Sequence, residues 1–389
     1  MVLADEARKL YKDSFGGGKT RVFYSHGRLE LIGNHTDHQG GLCLVAGVDL
    51  GITAAVQPNK DGAIRIVSDG FSPFLFHLDE LKLKRGERGT TIAIVKGVLS
   101  KMKALGYKLG GFSAALKSDL IAGAGLSSSA AVEALFVKIV DALYNKDDID
   151  PLEAAKIGQY AENEFFGKPC GLLDQIGVCF GGVQYLDFAD EEDVQIEPLD
   201  YKMVLRPVLI NTGSSHANLT GHYAAIPADM KSVAVNLLGV EKLSQSSREE
   251  FMKAACKPNL AVSERAKLRA QHYYDECERV KEAKKAILEN DTATFIQDIR
   301  LSQESSHALL ANTMVAGNYH HSPQEAVDVA NRIIGHGGAR IMGGGFAGGI
   351  ICFVYPADEK EFVQNMARYY GEENVKSVSF LPGGAREVK

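Results

Sequence analysis

A glycine- and serine-rich segment, Gly123-Ala-Gly-Leu-Ser-Ser-Ser-Ala-Ala131, lies between a strand-like stretch and an apolar helical pattern that starts near Ser128. Glycine allows positive φ and close approach of a ligand to the backbone, and serine is favoured where a helix begins. The start of a helix carries unpaired N–H groups and a partial positive charge, so it attracts anions. The segment predicts either a phosphate-binding loop or an ordinary glycine turn with a serine cap.

The chain is long enough for two domains. It has 389 residues, 45% of them hydrophobic and 24% charged, as in soluble globular proteins and unlike disordered chains. One hydrophobic core seldom serves more than about 250–300 residues. The acidic, weakly periodic segment 187–203 is a candidate junction. Because strands and helices mix without a regular βαβ order, we predict an α+β fold with lobes at 1–200 and 201–389.

Charge and cysteine content narrow the class of function. The formal net charge of −6 gives no broad positive field for nucleic acid. Six scattered cysteines without a CxxC pair predict reduced thiols rather than a zinc cluster or a disulfide framework. The chain shows neither a leader pattern nor an apolar run of about 18 residues. We therefore expect a cytoplasmic protein with no nucleic acid or membrane partner.

Hydrophobic periodicity predicts the main elements. The predicted helices cover residues 90–105, 128–143, 152–166, 173–180, 261–290, 292–312, 324–335 and 358–370. The predicted strands cover residues 21–25, 47–56, 63–67, 111–117, 203–210 and 375–381. Residues 338–355 have the pattern of a strand-like, glycine-rich turn.

Two groups of polar residues are candidates for chemistry. The glycine-bounded loop 27–41 holds Arg28, Glu30, Asn34, His35, Asp37 and His38, side chains that suit the many hydroxyls of a sugar. A solvated hairpin with one ion pair is the alternative. Asp174 stands at the start of an apolar segment, either as a helix N-cap or as a buried carboxylate that needs a partner such as Arg28.

Four separated stretches together resemble one family. Residues 27–41 resemble the galactokinase signature G-R-x-N-L-I-G-E-H-T-D-Y-x-x-G, and residues 169–175 are similar to its P-C-G-I-M-D-Q. Residues 123–131 are similar to the G-x-G-L-S-S-S-A loop of the GHMP small-molecule kinases. Residues 340–349 resemble that family's third motif, R-M-T-G-G-G-F-G-G. The four occur in the family's order and span nearly the whole chain.

The resemblance implies a two-lobe GHMP kinase fold. The N-terminal lobe would resemble ribosomal protein S5 domain 2, and the C-terminal lobe would be ferredoxin-like, with ligands in the cleft between them. It implies transfer of the γ-phosphoryl group of ATP, with Mg²⁺, to the anomeric hydroxyl of galactose or a similar sugar. Beyond sugar and ATP no partner is implied, and we expect a monomer.

The resemblance also implies roles for particular residues. Asp174 matches the catalytic aspartate and Arg28 its partner. The implied sugar-binding residues are Asn34, His35, Asp37, Gly171 and Tyr223, the last within segment 216–223. The implied ATP-binding residues are Gly123, Ala124, Gly125, Leu126, Ser127, Ser128 and Ser129. The implied ligands of Mg²⁺ are Ser129 and Glu162. All of these roles require Arg28 and Asp174 to meet beside the serine-rich loop.

Two departures of segment 27–41 from the signature bear on the identity of the sugar. Asn34 replaces a glutamate that approaches the sugar's 6-hydroxyl in galactokinases, and His38 replaces a tyrosine. A neutral amide removes repulsion toward a carboxylate at carbon six, and the run from Asp37 to Gly41 is similar to that of plant galacturonate kinases. A galacturonate 1-kinase is therefore an alternative. A non-catalytic regulator that binds galactose and ATP is another, as is a GHMP kinase for an isoprenoid or amino-acid substrate.

Overall fold

The computed structural model describes residues 3–190, 193–214, 219–257 and 261–388. The helices are α1 (Ala4–Phe15), α2 (Thr91–Ala104), α3 (Ser128–Val140), α4 (Pro151–Tyr160), α5 (Leu173–Phe180), α6 (Thr220–Val233), α7 (Arg248–Ala255), α8 (Glu264–Glu289), α9 (Thr292–Ser305), α10 (Pro323–Ile333) and α11 (Pro356–Tyr370). The strands are β1 (Arg21–Ile32), β2 (Leu42–Asn59), β3 (Ala63–Ser68), β4 (Phe71–His77), β5 (Gly111–Ser118), β6 (Val183–Asp187), β7 (Gln195–Leu199), β8 (Arg206–Asn211), β9 (Gly338–Ile341), β10 (Gly349–Val354), β11 (Val375–Ser377) and β12 (Arg386–Val388).

The first sheet is built on two long antiparallel strands, β1 and β2. Its order is β12-β1-β2-β5-β3-β4, with β6 added to β2 and β7 to β6. Strand β1 has a partner on each side and is buried over nearly its whole length, including its charged residues Arg28 and Glu30. Helices α2 and α3 cover the part of this sheet formed by β2, β3 and β5. Helix α3, which follows the predicted loop, also packs on β1.

The second sheet has the order β11-β8-β10-β9 and is antiparallel. Helices α10 and α11 pack on one face. Its other face shares an apolar core with α8, α9 and the first sheet, including Leu29 of β1, Phe295 of α9 and Phe353 of β10. The two sheets thus share one continuous apolar core.

The strands depart from the predicted pattern, and three of the differences bear on the site or on the predicted lobes. Strand β1 continues to Ile32, so Arg28 and Glu30 lie on a strand and not in a loop. Segment 187–203, predicted as a junction, contains β7, which pairs with β6. Strand β12 pairs with β1, so the end of the chain returns to the first sheet. The division at residues 200 and 201 otherwise stays a prediction.

No helix in the described part of the chain is both long and apolar enough to span a membrane.

Candidate active site

Arg28 and Asp174 meet where β1 passes the first turn of α5. Nε and Nη2 of Arg28 donate to Oδ1 of Asp174 at 2.9 and 2.6 Å. The Arg28 side chain is only 6% exposed, whereas that of Asp174 is 25% exposed. Leu172 occupies the N-cap position of α5, so the helix-cap alternative for Asp174 is wrong. The structure brings the two residues together as the sequence predicted.

The surroundings of Asp174 favour its ionised form. Burial raises the pKa of Asp174, but the Arg28 charge, the Ser127 hydroxyl and the Lys168 charge together outweigh it and lower the pKa below its usual value. An opposite charge within hydrogen-bond distance stabilises the carboxylate. Asp174 is therefore a carboxylate at neutral pH.

The serine-rich loop lies directly beside this ion pair. Nη1 of Arg28 donates to the carbonyl of Gly125 at 2.6 Å. Gly123 and Gly125 have φ of 76° and 77°, the left-handed region that glycine adopts without strain. Helix α3 begins at Ser128, and Ser127 stands at the N-cap in left-handed conformation, without a side-chain cap bond. The serine-cap alternative is therefore wrong. The Ser127 hydroxyl acts instead to lower the pKa of Asp174.

Two residues of the predicted ATP loop have their side chains in the core. Ala124 is 0% exposed and Leu126 is 3% exposed, and both pack in the core shared by the two sheets. They can offer a nucleotide only their backbone groups. The glycines and the serine hydroxyls of the loop remain at or near the surface.

The two predicted metal ligands are also brought together. The Ser129 hydroxyl donates to Oε1 of Glu162 at 3.0 Å, and Lys168 Nζ lies 3.4 Å from the same oxygen. Oε2 of Glu162 accepts from Nε2 of Gln175 at 3.0 Å. Nε2 of Gln175 also donates to Oε2 of Glu133 at 3.0 Å. Burial, together with the charge of Glu162, raises the pKa of Glu133 well above its usual value.

A cavity of about 210 Å³ opens beside Asp174. The residues that line it are Arg28, Glu30, His35, Asp37, His38, Cys170, Gly171, Leu173, Asp174, Gly343 and Gly344. They come from β1, the turn after it, the start of α5 and the glycine-rich turn after β9. The cavity walls therefore come from the first sheet and from a turn of the second sheet, and the carboxylate of Asp174 forms part of them.

His35 and His38 form a neutral pair in the cavity wall. Nε2 of His35 lies 3.1 Å from the carbonyl of Gly344, so this nitrogen donates, and Nδ1 accepts from Nε2 of His38 at 3.3 Å. Burial, with a smaller effect from His38, lowers the pKa of His35 to about 3. Burial also lowers the pKa of His38 to about 4. Burial raises the pKa of the neighbouring Asp37.

Asn34 lies behind the cavity wall rather than in it. Its side chain is fully buried, and Nδ2 donates to Oε1 of Glu30 at 3.0 Å and to the carbonyl of Gly343 at 2.5 Å. Its Oδ1 accepts from Asn312 at 2.8 Å. The amide of Asn34 is thus bonded on both its nitrogen and its oxygen within the protein, and its sugar-binding role stays a prediction. Glu30 itself lines the cavity.

Tyr223 packs behind the glycine-rich turn and does not line the cavity. Its hydroxyl donates to the carbonyl of Gly345 at 3.1 Å, and its ring would lie 2.6 Å from a Cβ on Gly344. In its predicted motif, residues 216–218 lie outside the described residues. Its sugar-binding role stays a prediction. By contrast, Gly171 lines the cavity and packs close to Oδ2 of Asp37.

Glu30 and His38 belong to the polar candidates of segment 27–41, but the resemblance implies no particular role for them. Gly343 and Gly344 lie in the third motif, for which no role is implied either. Glu30 is two residues from Arg28 on one strand, and a period of two places such residues on one face, which was a usable signal. Glu30 also stands where the quoted signature has asparagine, while Asn34 stands where it has glutamate. The carboxylate and the amide have thus exchanged positions and remain hydrogen-bonded to each other.

The comparison with known families defines the class of protein. Residues 93–182 match the family described as GHMP kinases N terminal domain, and residues 9–58 match the galactokinase galactose-binding signature. The crystal structure of Methanococcus jannaschii mevalonate kinase shares the fold, with a TM-score of 0.65 at 16% identity over 94% of this chain and 99% of its own. The protein is a GHMP kinase, and the predicted α+β, two-lobe fold is confirmed.

Relatives that match over nearly their whole length show which GHMP kinases the chain resembles most in sequence. The galactokinase of Lactococcus lactis subsp. lactis is 30% identical over 93% of this chain and 90% of its own, and that of Pyrococcus furiosus is 31% identical over 89% and 92%. The crystal structure of Lactococcus lactis galactokinase complexed with galactose matches with a TM-score of 0.85 and 26% identity over 100% of both chains. The chain belongs to the galactokinase family.

Proposed function

We propose that the protein transfers the γ-phosphoryl group of ATP to the anomeric hydroxyl of D-galactose. The observation that carries the proposal is the ion pair of Arg28 and Asp174, which lies in the cavity wall and is hydrogen-bonded to the serine-rich loop. A carboxylate beside a helix start that can hold phosphate gives both halves of a phosphoryl-transfer site. The galactokinases among its relatives support galactose as the acceptor.

Asp174 would accept the proton of the reacting hydroxyl. The bond from the sugar's anomeric oxygen to the γ-phosphorus forms, the bond from that phosphorus to the β,γ-bridging oxygen breaks, and ADP leaves. Because the pKa of Asp174 is lowered, the carboxylate is a weak base. Proton transfer would then come late, when bonding to phosphorus has made the hydroxyl acidic. This order agrees with the loose transition state of phosphoryl transfer.

Gly123–Ser129 would hold the phosphates of ATP, and Ser129 and Glu162 would hold Mg²⁺. A hydroxyl and a carboxylate are the hard oxygen donors that Mg²⁺ prefers, and this ion is commonly bound by one or two carboxylates together with substrate phosphates and water. The pairing of the two side chains at 3.0 Å fits this use. The metal would supply charge neutralisation on the β- and γ-phosphates. A cytoplasmic, monomeric enzyme is part of the proposal.

The charges of the cavity favour galactose over galacturonate. Three carboxyl groups line it, those of Glu30, Asp37 and Asp174. The guanidinium of Arg28 is already paired with Asp174, and both lining histidines have pKa values near 3 and 4. Burial raises the pKa of Glu30 and of Asp37, so another negative charge is unfavourable there. These charges oppose the advantage that a neutral Asn34 would offer a sugar acid.

A substrate panel tests the proposal. Galactose, galacturonate and N-acetylgalactosamine are compared by kcat/KM from ADP release, and phosphorus NMR identifies the phosphorylated position. We expect galactose to be preferred over galacturonate by more than about tenfold. A kcat/KM for galacturonate more than about tenfold higher than that for galactose would reject galactose as the substrate. ADP release with any of the sugars rejects the regulator, and ATP binding without turnover would support it.

A further inference from the structure

One buried amide connects the predicted metal ligand, the helix of the nucleotide loop and the predicted base. Glu133, Glu162 and Gln175 are each no more than 1% exposed. Nε2 of Gln175 donates to one oxygen of Glu133 and one oxygen of Glu162, both at 3.0 Å. An amide nitrogen has two N–H groups, so both are used.

The three residues come from three different elements. Glu133 lies on α3, one turn beyond Ser129. Glu162 lies in the wide helical turn after α4. Gln175 follows Asp174 directly on α5. A displacement of Gln175 would therefore change its bonds to Glu162 and to Glu133 of α3, and it would shift the neighbouring Asp174.

The orientation of Glu162 depends on this amide. Its Oε1 faces Ser129 and Lys168, whereas its Oε2 is held by Gln175 and by the Cys170 thiol at 3.6 Å. Lys168 is 62% exposed and is a weak restraint. A thiol is a weak donor. Gln175 is thus the strongest buried donor that keeps the plane of this carboxylate fixed.

We propose that Gln175 is a positioning residue for the metal–nucleotide site, because its amide fixes Glu162 with Oε1 directed at Ser129. Groups that orient metal ligands typically change metal affinity or activity by about 10–100-fold when removed. The inference rests on the proposed role of Glu162 as a metal ligand. It does not depend on which sugar is phosphorylated.

The test is metal binding in Gln175→Met, which keeps the volume and removes both N–H groups. Mn²⁺ is titrated into protein saturated with a non-hydrolysable ATP analogue, without sugar, and followed by electron paramagnetic resonance. We expect affinity to fall by about 10–100-fold, with galactose affinity measured by calorimetry unchanged. In steady state, the Mg²⁺ concentration for half-maximal rate should rise by a similar factor, and kcat should recover largely at saturating Mg²⁺.

Gln184→Met is the matched control. Gln184 is also buried and also uses Nε2 to hold a carbonyl, that of Gly181, but it lies on β6 outside the cavity lining. It should lose stability without losing metal affinity. If Gln175→Met does not fold, Gln175→Asn takes its place, since it is too short to reach both carboxylates.

The outcomes separate the two proposals. Equal Mn²⁺ affinity in wild type and both Gln175 variants rejects the positioning role, and so does a parallel loss in Gln184→Met. Mn²⁺ affinity that is lost together with galactose affinity also rejects it, because the defect is then general. Absence of Mn²⁺ binding by the wild-type complex would instead reject Glu162 and Ser129 as ligands.

Discussion

At the scale of single residues, the proposed chemistry depends on one carboxylate. Asp174→Asn preserves the shape of the side chain but leaves it unable to take a proton. We expect kcat to fall by about 10²–10⁴-fold, the usual contribution of a general base. ATP affinity should be unchanged within about threefold, because the hydrogen bonds of Asp174 go to Arg28 rather than to the loop itself. A fluorescent ATP analogue and an ADP-release assay measure the two quantities.

Asp187→Asn is the control for Asp174→Asn. Asp187→Asn changes a partly buried carboxylate on β6 outside the cavity lining and should leave kcat unaltered. Turnover by Asp174→Asn within a factor of about ten of wild type would mean that the residue is not the base.

The histidine pair predicts a loss of stability in acid. The pKa of His38 is lowered by burial to about 4, from a usual value of about 6.5. Between these pH values the unfolded chain binds a proton that the folded protein does not, so the free energy of unfolding falls as the pH falls. For His38 alone the effect between pH 6.5 and 5 is at most about 2 kcal/mol. The raised pKa of Asp37 acts in the opposite sense.

His38→Gln isolates this effect from the other titrations. Chemical denaturation at pH 7 and pH 5 should show a smaller loss of unfolding free energy in the variant than in wild type. An identical pH dependence in the two proteins would mean that His38 titrates normally in the folded state.

Sequence patterns predicted which residues meet, but not which way each points. Arg28 and Asp174 could be paired because each stood in a motif. The direction of Asn34 could not be read, because β1 contains irregularities between His26 and Arg28 and between Glu30 and Ile32. Each irregularity shifts the alternation of side chains along the strand. Beyond them, only the packing of both sheets determines whether an amide enters the cavity or lies behind it.

At the scale of elements, the site depends on how closely α5 packs on β1. Gly177 lies one turn after Asp174, and a Cβ there would stand 3.1 Å from Cβ and 3.2 Å from Cγ of Arg28. Gly177→Ala should therefore displace the guanidinium from Asp174. A shift of about 1 Å can cost up to 10²-fold in rate, and we expect kcat to fall by roughly 10-fold with little change in ATP affinity.

Gly17→Ala is the control for this substitution. Its backbone has no positive φ, and a Cβ there meets nothing within 4 Å. Its kinetics should match wild type. A wild-type kcat in Gly177→Ala would show that the pairing of Arg28 and Asp174 tolerates the added methyl group.

Elements with strong periodicity were predictable, and those defined by their partners were not. Helix α5 spans the predicted residues 173–180 because its apolar positions repeat at helical spacing. Strand β7 was missed because it lies in an acidic, mostly exposed stretch and exists only through its pairing with β6. Strand β12 has three residues, too few to show alternation. Long-range pairing of this kind leaves no local signal.

At the scale of the whole molecule, Arg340 of β9 joins the second sheet to Glu30 in the wall of the cavity beside Asp174. Its side chain is 0% exposed. Nη2 donates to Oε1 of Glu30 at 3.2 Å, and Nη1 donates to the carbonyl of Leu31 at 3.0 Å. Asn34 and His35 bond to the glycine-rich turn after the same strand. The third motif, for which the sequence indicates no role, thus fixes the end of β1 and the turn after it across the two sheets.

This arrangement predicts a large effect of Arg340→Met on stability. The substitution roughly keeps the volume but leaves the buried carboxyl of Glu30 without its cation, a loss that typically costs about 3–5 kcal/mol. Because total stability of a domain is about 5–15 kcal/mol, the variant should be visibly weakened in urea denaturation. Adding Glu30→Gln should recover part of the loss, since the uncompensated charge is then removed.

Arg368→Met, on the exposed face of α11, should change stability by less than about 0.5 kcal/mol. A loss below about 1 kcal/mol in Arg340→Met, or a further loss on adding Glu30→Gln, would mean that the pair does not join the sheets energetically.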